Sequence, residues 1–167
     1  MGLLRLLKHR RLDETDAKRL LGDGALQRVE ARVAASETHH SGEIRVCIES
    51  GLPLSYLKRD APARERAVMM FGKLRVWDTE HNNGVLIYLL LAEHAIEIVA
   101  DRGLSRHVDA AEWQRITATM SAAFKAGQFE AGLNQAIDAV DALLAKHFAL
   151  APGEANPNEL PDAPYLR

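Results

Sequence analysis

The sequence predicts an α/β fold: a three-layer α/β/α sandwich around a small mixed sheet. Its hydrophobic periodicity gives the order helix, strand, helix, strand, strand, helix, helix. Because a helix joins the first two strands, we expect them to be parallel with a right-handed crossover. The run Val85 to Leu91 is apolar throughout, which is typical of a central strand covered by helices on both faces.

The first half of the chain carries one strand signal between helical patterns. Ile44, Val46 and Ile48 alternate with other residues, as in a strand with two unequal faces. Gly22-Asp23-Gly24 breaks the preceding helical pattern. The other predicted elements are helices at Asp13 to Leu21, Leu26 to Thr38 and Pro62 to Arg75, and a loop from Gly51 to Asp60.

The second half of the chain predicts a hairpin followed by two long helices. Ile96 to Val99 returns antiparallel to the apolar strand through a tight turn, and this places Leu86 opposite Asp101. One helix begins at the capping residue Asp109 and closes at Gly127, and another spans Leu133 to Leu144. From Ala149 the chain is rich in proline and polar residues, so we expect it to run along the surface.

Composition narrows the function classes. Of 167 residues, 47% are hydrophobic and 26% charged, which is ordinary globular usage. The net charge of −2 favours no nucleic-acid partner. A single cysteine excludes an internal disulfide. No apolar run reaches the roughly 18 residues of a membrane span, and no signal peptide is recognised, so we expect a cytoplasmic location.

Three regions are expected along the chain. Residues 1–22 form a basic amphipathic segment, residues 23–148 the α/β/α domain, and residues 149–167 the proline-rich tail. In the first region leucines alternate with basic residues. Two interpretations remain open: an extra helix packed on the domain, or a peripheral contact of residues 3–11 with an anionic membrane.

The predicted strand directions bring three polar segments to one edge of the sheet. The two parallel strands begin at this edge, and the hairpin partner ends there. Candidate ligand-binding residues at this edge are Glu43, Asn82, Asn83 and Arg102.

Two kinds of chemistry suit these segments. Asp78, Glu80 and Asp101 offer the oxygen ligands that a hard divalent cation prefers, with calcium the best candidate. Zinc would instead recruit His81, and a hydrogen-bonded loop with no metal remains the alternative. For phosphate chemistry, Asp101 and Arg102 are the candidate catalytic pair. Asp101 would be the nucleophile or a metal ligand, and Arg102 would clamp the phosphate.

Several segments together resemble the TPM domain family. The resemblance runs from about Ala25 to Pro161 and is closest to short bacterial members that lack a signal peptide and a membrane anchor. Secreted members typically carry Gly-Arg-Gly where this chain has Asp101-Arg102-Gly103, so this chain adds a carboxylate. The matching segments are SGEIRV, WDTEHNNGVLIYLLLA, IEIVADRG, FKAGQFEAGL and NPNELPD.

The resemblance implies an α/β/α sandwich and a range of roles. Family members serve in photosystem repair, as auxiliary receptor subunits, or as bacterial surface and membrane proteins. Acid phosphatase activity and binding of divalent cations, calcium included, are attributed to the fold. We therefore expect a module that binds a ligand or a protein partner in envelope-related assembly or maintenance. A weak metal-dependent acid phosphatase is the alternative.

Overall fold

The computed structural model describes residues 3–167, so the first two residues of the predicted N-terminal segment lie outside the described part. Its sheet has four strands in the order β3-β2-β1-β4. β1 is parallel to β2 and β4, and β3 is antiparallel to β2. These directions confirm the predicted mixed sheet. The strands are β1 Glu43–Glu49, β2 Gly84–Leu90, β3 Ala95–Ala100 and β4 Tyr165–Leu166.

Helices cover both faces of this sheet, which confirms the three-layer sandwich. They are α1 Leu3–Arg10, α2 Glu14–Leu21, α3 Ala25–Ser36, α4 Leu54–Lys58, α5 Ala63–Lys73, α6 Arg102–Ser105, α7 Ala110–Lys125 and α8 Phe129–His147. The core on one face contains buried side chains from α2, α3, α7 and α8. The core on the other face contains side chains from α4 and α5.

Strand β2 is buried along its whole length. Val85, Ile87 and Leu89 pack in the core of α3 and α8, and Leu86 and Tyr88 pack in the core of α5. Because successive side chains of a strand point to opposite faces, only a fully apolar run suits this central position. The sequence therefore placed β2 correctly from its composition alone.

The hairpin register differs from the predicted one. Leu86 pairs with Val99, and Ala100 pairs with Val85. The sequence placed the centre of the turn one residue too late. A short 3₁₀ turn at Leu91–Glu93 connects β2 to β3, and His94 takes the left-handed conformation at φ 49°. Asp101 consequently lies beside the first residue of β2 and not opposite Leu86.

Three further segments differ from the expectations. The predicted loop at 51–60 contains α4, because burial of Leu57 against the second core stabilises a short helix there. The chain after β3 forms α6, with Asp101 as its N-cap. The tail runs over the surface as expected, but it ends in an unpredicted strand, β4, where Cys47 and Ile48 of β1 pair with Tyr165 and Leu166.

Candidate functional site

Gly84 is the point at which the three predicted polar segments meet. Glu43, the first residue of β1, pairs with Gly84, the first residue of β2. The backbone N–H of Asp101 donates to the Gly84 carbonyl at 2.9 Å. A side chain at position 84 would place its Cβ 2.0 Å from the Val76 carbonyl oxygen, so only glycine fits. The predicted convergence at this edge of the sheet is confirmed.

Three side-chain oxygens at this edge are buried without a hydrogen-bond donor among residues 3–167: Glu43 Oε1, Asn83 Oδ1 and Asp101 Oδ2. The side chains of Glu43 and Asn83 are completely buried. Buried polar atoms are nearly always hydrogen-bonded, because leaving one unpaired costs roughly 1–3 kcal/mol. Three such oxygens at the ends of neighbouring strands make this edge a candidate binding site.

The remaining polar atoms of these residues fix the side chains in place. Glu43 Oε2 accepts from the Leu160 N–H at 3.0 Å. Asn83 Nδ2 donates to Ser41 Oγ at 3.3 Å. Asp101 Oδ1 accepts from the Arg102 N–H at 2.7 Å, which is an N-cap contact. Each side chain is thus held by one polar atom, while a second, an oxygen, has no partner in the described part of the chain.

Arg102 lies at the exposed rim of the same edge. Its Nε donates to Asn82 Oδ1 at 3.1 Å, so the guanidinium is oriented by an amide and not by the Asp101 carboxylate. The Gly103 N–H donates to the Asn82 carbonyl at 2.8 Å. A Cβ at Gly103 would approach that oxygen to 2.4 Å. Close packing of α6 on the loop before β2 therefore requires glycine here.

The other predicted metal residues lie along the preceding loop. Asp78 forms an exposed ion pair with Arg75. Glu80 is exposed, and its N–H donates to Glu159 Oε1 at 3.0 Å; His81 is also exposed. Within residues 3–167, no three His, Cys, Asp or Glu side chains are close enough to share a metal ion. The carboxylate and amide oxygens at this edge are of the type that a hard cation prefers.

Two acidic residues near Glu43 escaped the sequence analysis. Glu37 is buried, and its Oε1 accepts from the Ile44 N–H at 2.8 Å. Burial, together with the nearby carboxylates of Glu43 and Asp162, raises the pKa of Glu37 to about 9, although the hydrogen bond from the Ile44 N–H opposes this shift. Burial likewise raises the pKa of Glu43. Asp162 comes from the tail and has a buried oxygen, Oδ1, with no partner in the described chain.

A signal for Glu37 was present in the sequence. Val29 and Val33 form the buried stripe of α3, and Glu37 continues the same spacing of four residues. A glutamate on the core-facing side of a helix is a candidate for a perturbed acid. No comparable pattern marks Asp162, because its position depends on the path of the tail.

The fold and this edge can be compared with known proteins. A model of the TPM domain matches residues 15–143. The chain belongs to the TPM domain family. None of the curated proteins compared with it matches the chain.

Two solved structures resemble this TPM domain. One is the NMR structure of BA42 protein from the psychrophilic bacterium Bizionia argentinensis, with a TM-score of 0.73 and 26% identity, covering 87% of this chain and 94% of that one. The other is the NMR structure of the N-terminal domain of a protein from P. gingivalis, with a TM-score of 0.62 and 21% identity, covering 79% and 83%. The second likeness concerns the fold alone.

Among residues 3–167, no helix has both the length and the apolar character needed to cross a bilayer.

Proposed function

We propose that this TPM domain is a binding module whose ligand contacts the sheet edge at Glu43, Asn83, Asp101 and Arg102. The observation that carries the proposal is the set of three buried oxygens, at the ends of β1, β2 and β3, for which residues 3–167 supply no hydrogen-bond donor. A ligand that supplies donors or a positive charge there would offset the cost of leaving these atoms unpaired.

The proposed ligand is a hard divalent cation, calcium first, together with an anionic group of a partner. Carboxylate and amide oxygens are suitable donors for calcium, and water completes its coordination. The exposed guanidinium of Arg102 suits a carboxylate or a phosphate. By the family resemblance, the partner would be a protein in envelope-related assembly or maintenance, contacted from the cytoplasmic side.

Calorimetry with calcium chloride, followed by inorganic phosphate, tests this proposal. Arg102→Ala should weaken phosphate binding to the calcium-loaded protein at least about tenfold and leave the melting temperature within about 2 °C, because the side chain is exposed and makes one hydrogen bond. Asp101→Asn should weaken calcium binding, because a charged ligand is lost. Arg106→Ala is the matched control, since Arg106 is an exposed arginine one helical turn further on.

Two results would contradict the proposal. One is a wild-type protein that binds neither calcium nor phosphate. The other is an Arg102→Ala variant that loses stability but keeps its binding, which would make Arg102 a structural residue.

A metal-dependent acid phosphatase is the second candidate. The observation in its favour is that an exposed guanidinium and a carboxylate with an unpaired oxygen are adjacent, at Arg102 and Asp101. Hydrolysis of p-nitrophenyl phosphate with calcium or magnesium present is the test. Turnover that Asp101→Asn abolishes would favour the enzyme, whereas equal turnover in the variant would exclude this pair as its catalytic site.

A further inference from the structure

Strand β3 is the outermost strand on one side of the sheet and forms its lateral margin. Half of its backbone N–H and C=O groups point away from β2. The Asp101 N–H donates to the Gly84 carbonyl, so Asp101 and Gly84 form a hydrogen-bonded pair, and the next pair in the register is Ala100 with Val85. Because hydrogen-bonded and non-hydrogen-bonded pairs alternate in an antiparallel ladder, the N–H and C=O groups of Ile96, Ile98 and Ala100 point away from β2. No strand among residues 3–167 lies beyond β3 to pair with them.

A groove follows this outer side of β3. It has a volume of about 480 Å³ and lies between α5 and α7. Its floor includes Ile98 and Ala100, and Trp113, Gln114 and Thr117 of α7 form one wall. The two helices cover the faces of β3 but leave its margin open, so a chain in extended conformation can reach the outward backbone groups.

One side chain now protects this margin. Arg64 Nη1 donates to the Ile98 carbonyl, which shows independently that this carbonyl points outward. Arg64 Nη1 also lies 3.5 Å from Glu97 Oε2, and about half of the Arg64 side chain is exposed. Proteins commonly protect edge strands with charged side chains. Because about half of the Arg64 side chain is exposed, the guanidinium can move into solvent when a peptide bonds the Ile98 carbonyl in its place.

We propose that this groove binds an extended peptide segment of a partner protein, which adds to β3 as a further strand and carries a carboxylate for Arg64. The peptide backbone would hydrogen-bond the N–H and C=O of Ile98, as in other cases of strand addition. Once its bond to Ile98 is replaced, Arg64 would bind an acidic side chain of the peptide in competition with Glu97. Alternate peptide side chains would contact Trp113.

Selection from a display library of linear octapeptides on the immobilised full chain tests this proposal. The best binder is then labelled with fluorescein and titrated by anisotropy against the wild type, Thr117→Arg and Thr119→Arg. Thr117 lines the groove, whereas Thr119 is an exposed threonine of the same helix outside it. The two hydroxyls bond a backbone carbonyl four residues back, so they form a matched pair.

We expect selected peptides to contain an acidic residue, to lose at least about tenfold in affinity with Thr117→Arg, and to bind Thr119→Arg within about twofold. Hydrogen exchange of the Ile98 and Ala100 amides should slow in the complex, a readout that a folding defect would not mimic. Arg102→Ala should bind the same peptides normally, so failure of this proposal is distinguishable from failure of the proposed cation and anion site.

Three outcomes would overturn the proposal: a library that yields no binder, binders unaffected by Thr117→Arg, or protection of amides elsewhere with Ile98 and Ala100 unchanged. A concentration-dependent dimer that Thr117→Arg disrupts would show instead that a second copy of the chain occupies the groove.

Discussion

Burial of the Glu37 side chain makes its charge depend on folding. The folded-state pKa of about 9 lies above the usual value of 4.5 for a glutamate. The folded chain therefore keeps a proton that the unfolded chain releases at intermediate pH. By linkage, this contribution to stability is fully present below the unfolded pKa and is lost as pH rises through the folded pKa.

Glu37→Gln should therefore flatten the pH dependence of stability. Between about pH 5 and pH 9 we expect the free energy of unfolding of the wild type to fall on the order of 5 kcal/mol more than that of the variant, as a folded-state pKa of about 9 requires. Urea denaturation at several pH values measures this difference. Glu30→Gln is the control, because Glu30 is an exposed glutamate of the same helix. Equal slopes for the wild type and Glu37→Gln would show that Glu37 is ionised in the folded protein.

Local sequence patterns predict some of the residues at the edge and miss others. Glu43, Asn83 and Asp101 follow from strand directions, because the ends of paired strands must meet. Strand directions do not predict the N-cap role of Asp101 or the close packing of Gly103 against Asn82. Both depend on α6, a helix of four residues that is too short to leave a periodic pattern in the sequence. The tail residue Asp162 could be placed only by tertiary structure.

At the scale of elements, α1 combines a docked face with an exposed one. Arg5 donates to Glu93 at 2.7 Å and His9 contacts the same carboxylate at 2.9 Å, so these side chains fix the helix to the domain. Leu4 is 83% exposed and Leu7 46% exposed, although both are large and apolar. The packed-helix interpretation is supported, and an outward apolar face remains available for a membrane.

The double variant Leu4→Ser, Leu7→Ser tests a membrane contact. If α1 lies on an anionic bilayer, the wild type should pellet with vesicles containing phosphatidylserine, and added salt should weaken pelleting because the neighbouring basic residues are screened. The double variant should lose most of this binding, since buried apolar area drives it. Leu20→Ser is the control, because Leu20 is 44% exposed on α2. Pelleting that is identical in the double variant would contradict a membrane contact of α1.

At the scale of the whole molecule, the tail completes the second face of the sheet. Arg45 Nη1 donates to the Pro161 carbonyl at 2.9 Å, and the Leu160 N–H donates to Glu43. β4 then covers the outer edge of β1. The tail therefore satisfies charged groups of β1 that would otherwise be buried without partners.

Removal of residues 160–167 should consequently destabilise the domain. We expect a loss of at least about 2 kcal/mol, because Leu160 leaves the core and Arg45 loses its carbonyl partners. Urea denaturation measures the change, and an unchanged midpoint would show that the tail is dispensable for folding. The composition of the tail predicted its surface path correctly. Its pairing with β1 could not be predicted, since a strand of two residues carries no alternation.

The attachment of α1 to the domain also bears on how the protein would be oriented on a membrane. His9 Nδ1 accepts from the Leu52 N–H at 3.0 Å, beyond the end of β1, whereas Glu43 stands at the beginning of that strand. Seven residues of strand separate the two ends, a span of about 20 Å. If α1 meets a bilayer with the strands upright on it, the Glu43 edge lies well above the lipid headgroups, where ions in solution or the protruding part of another protein reach it.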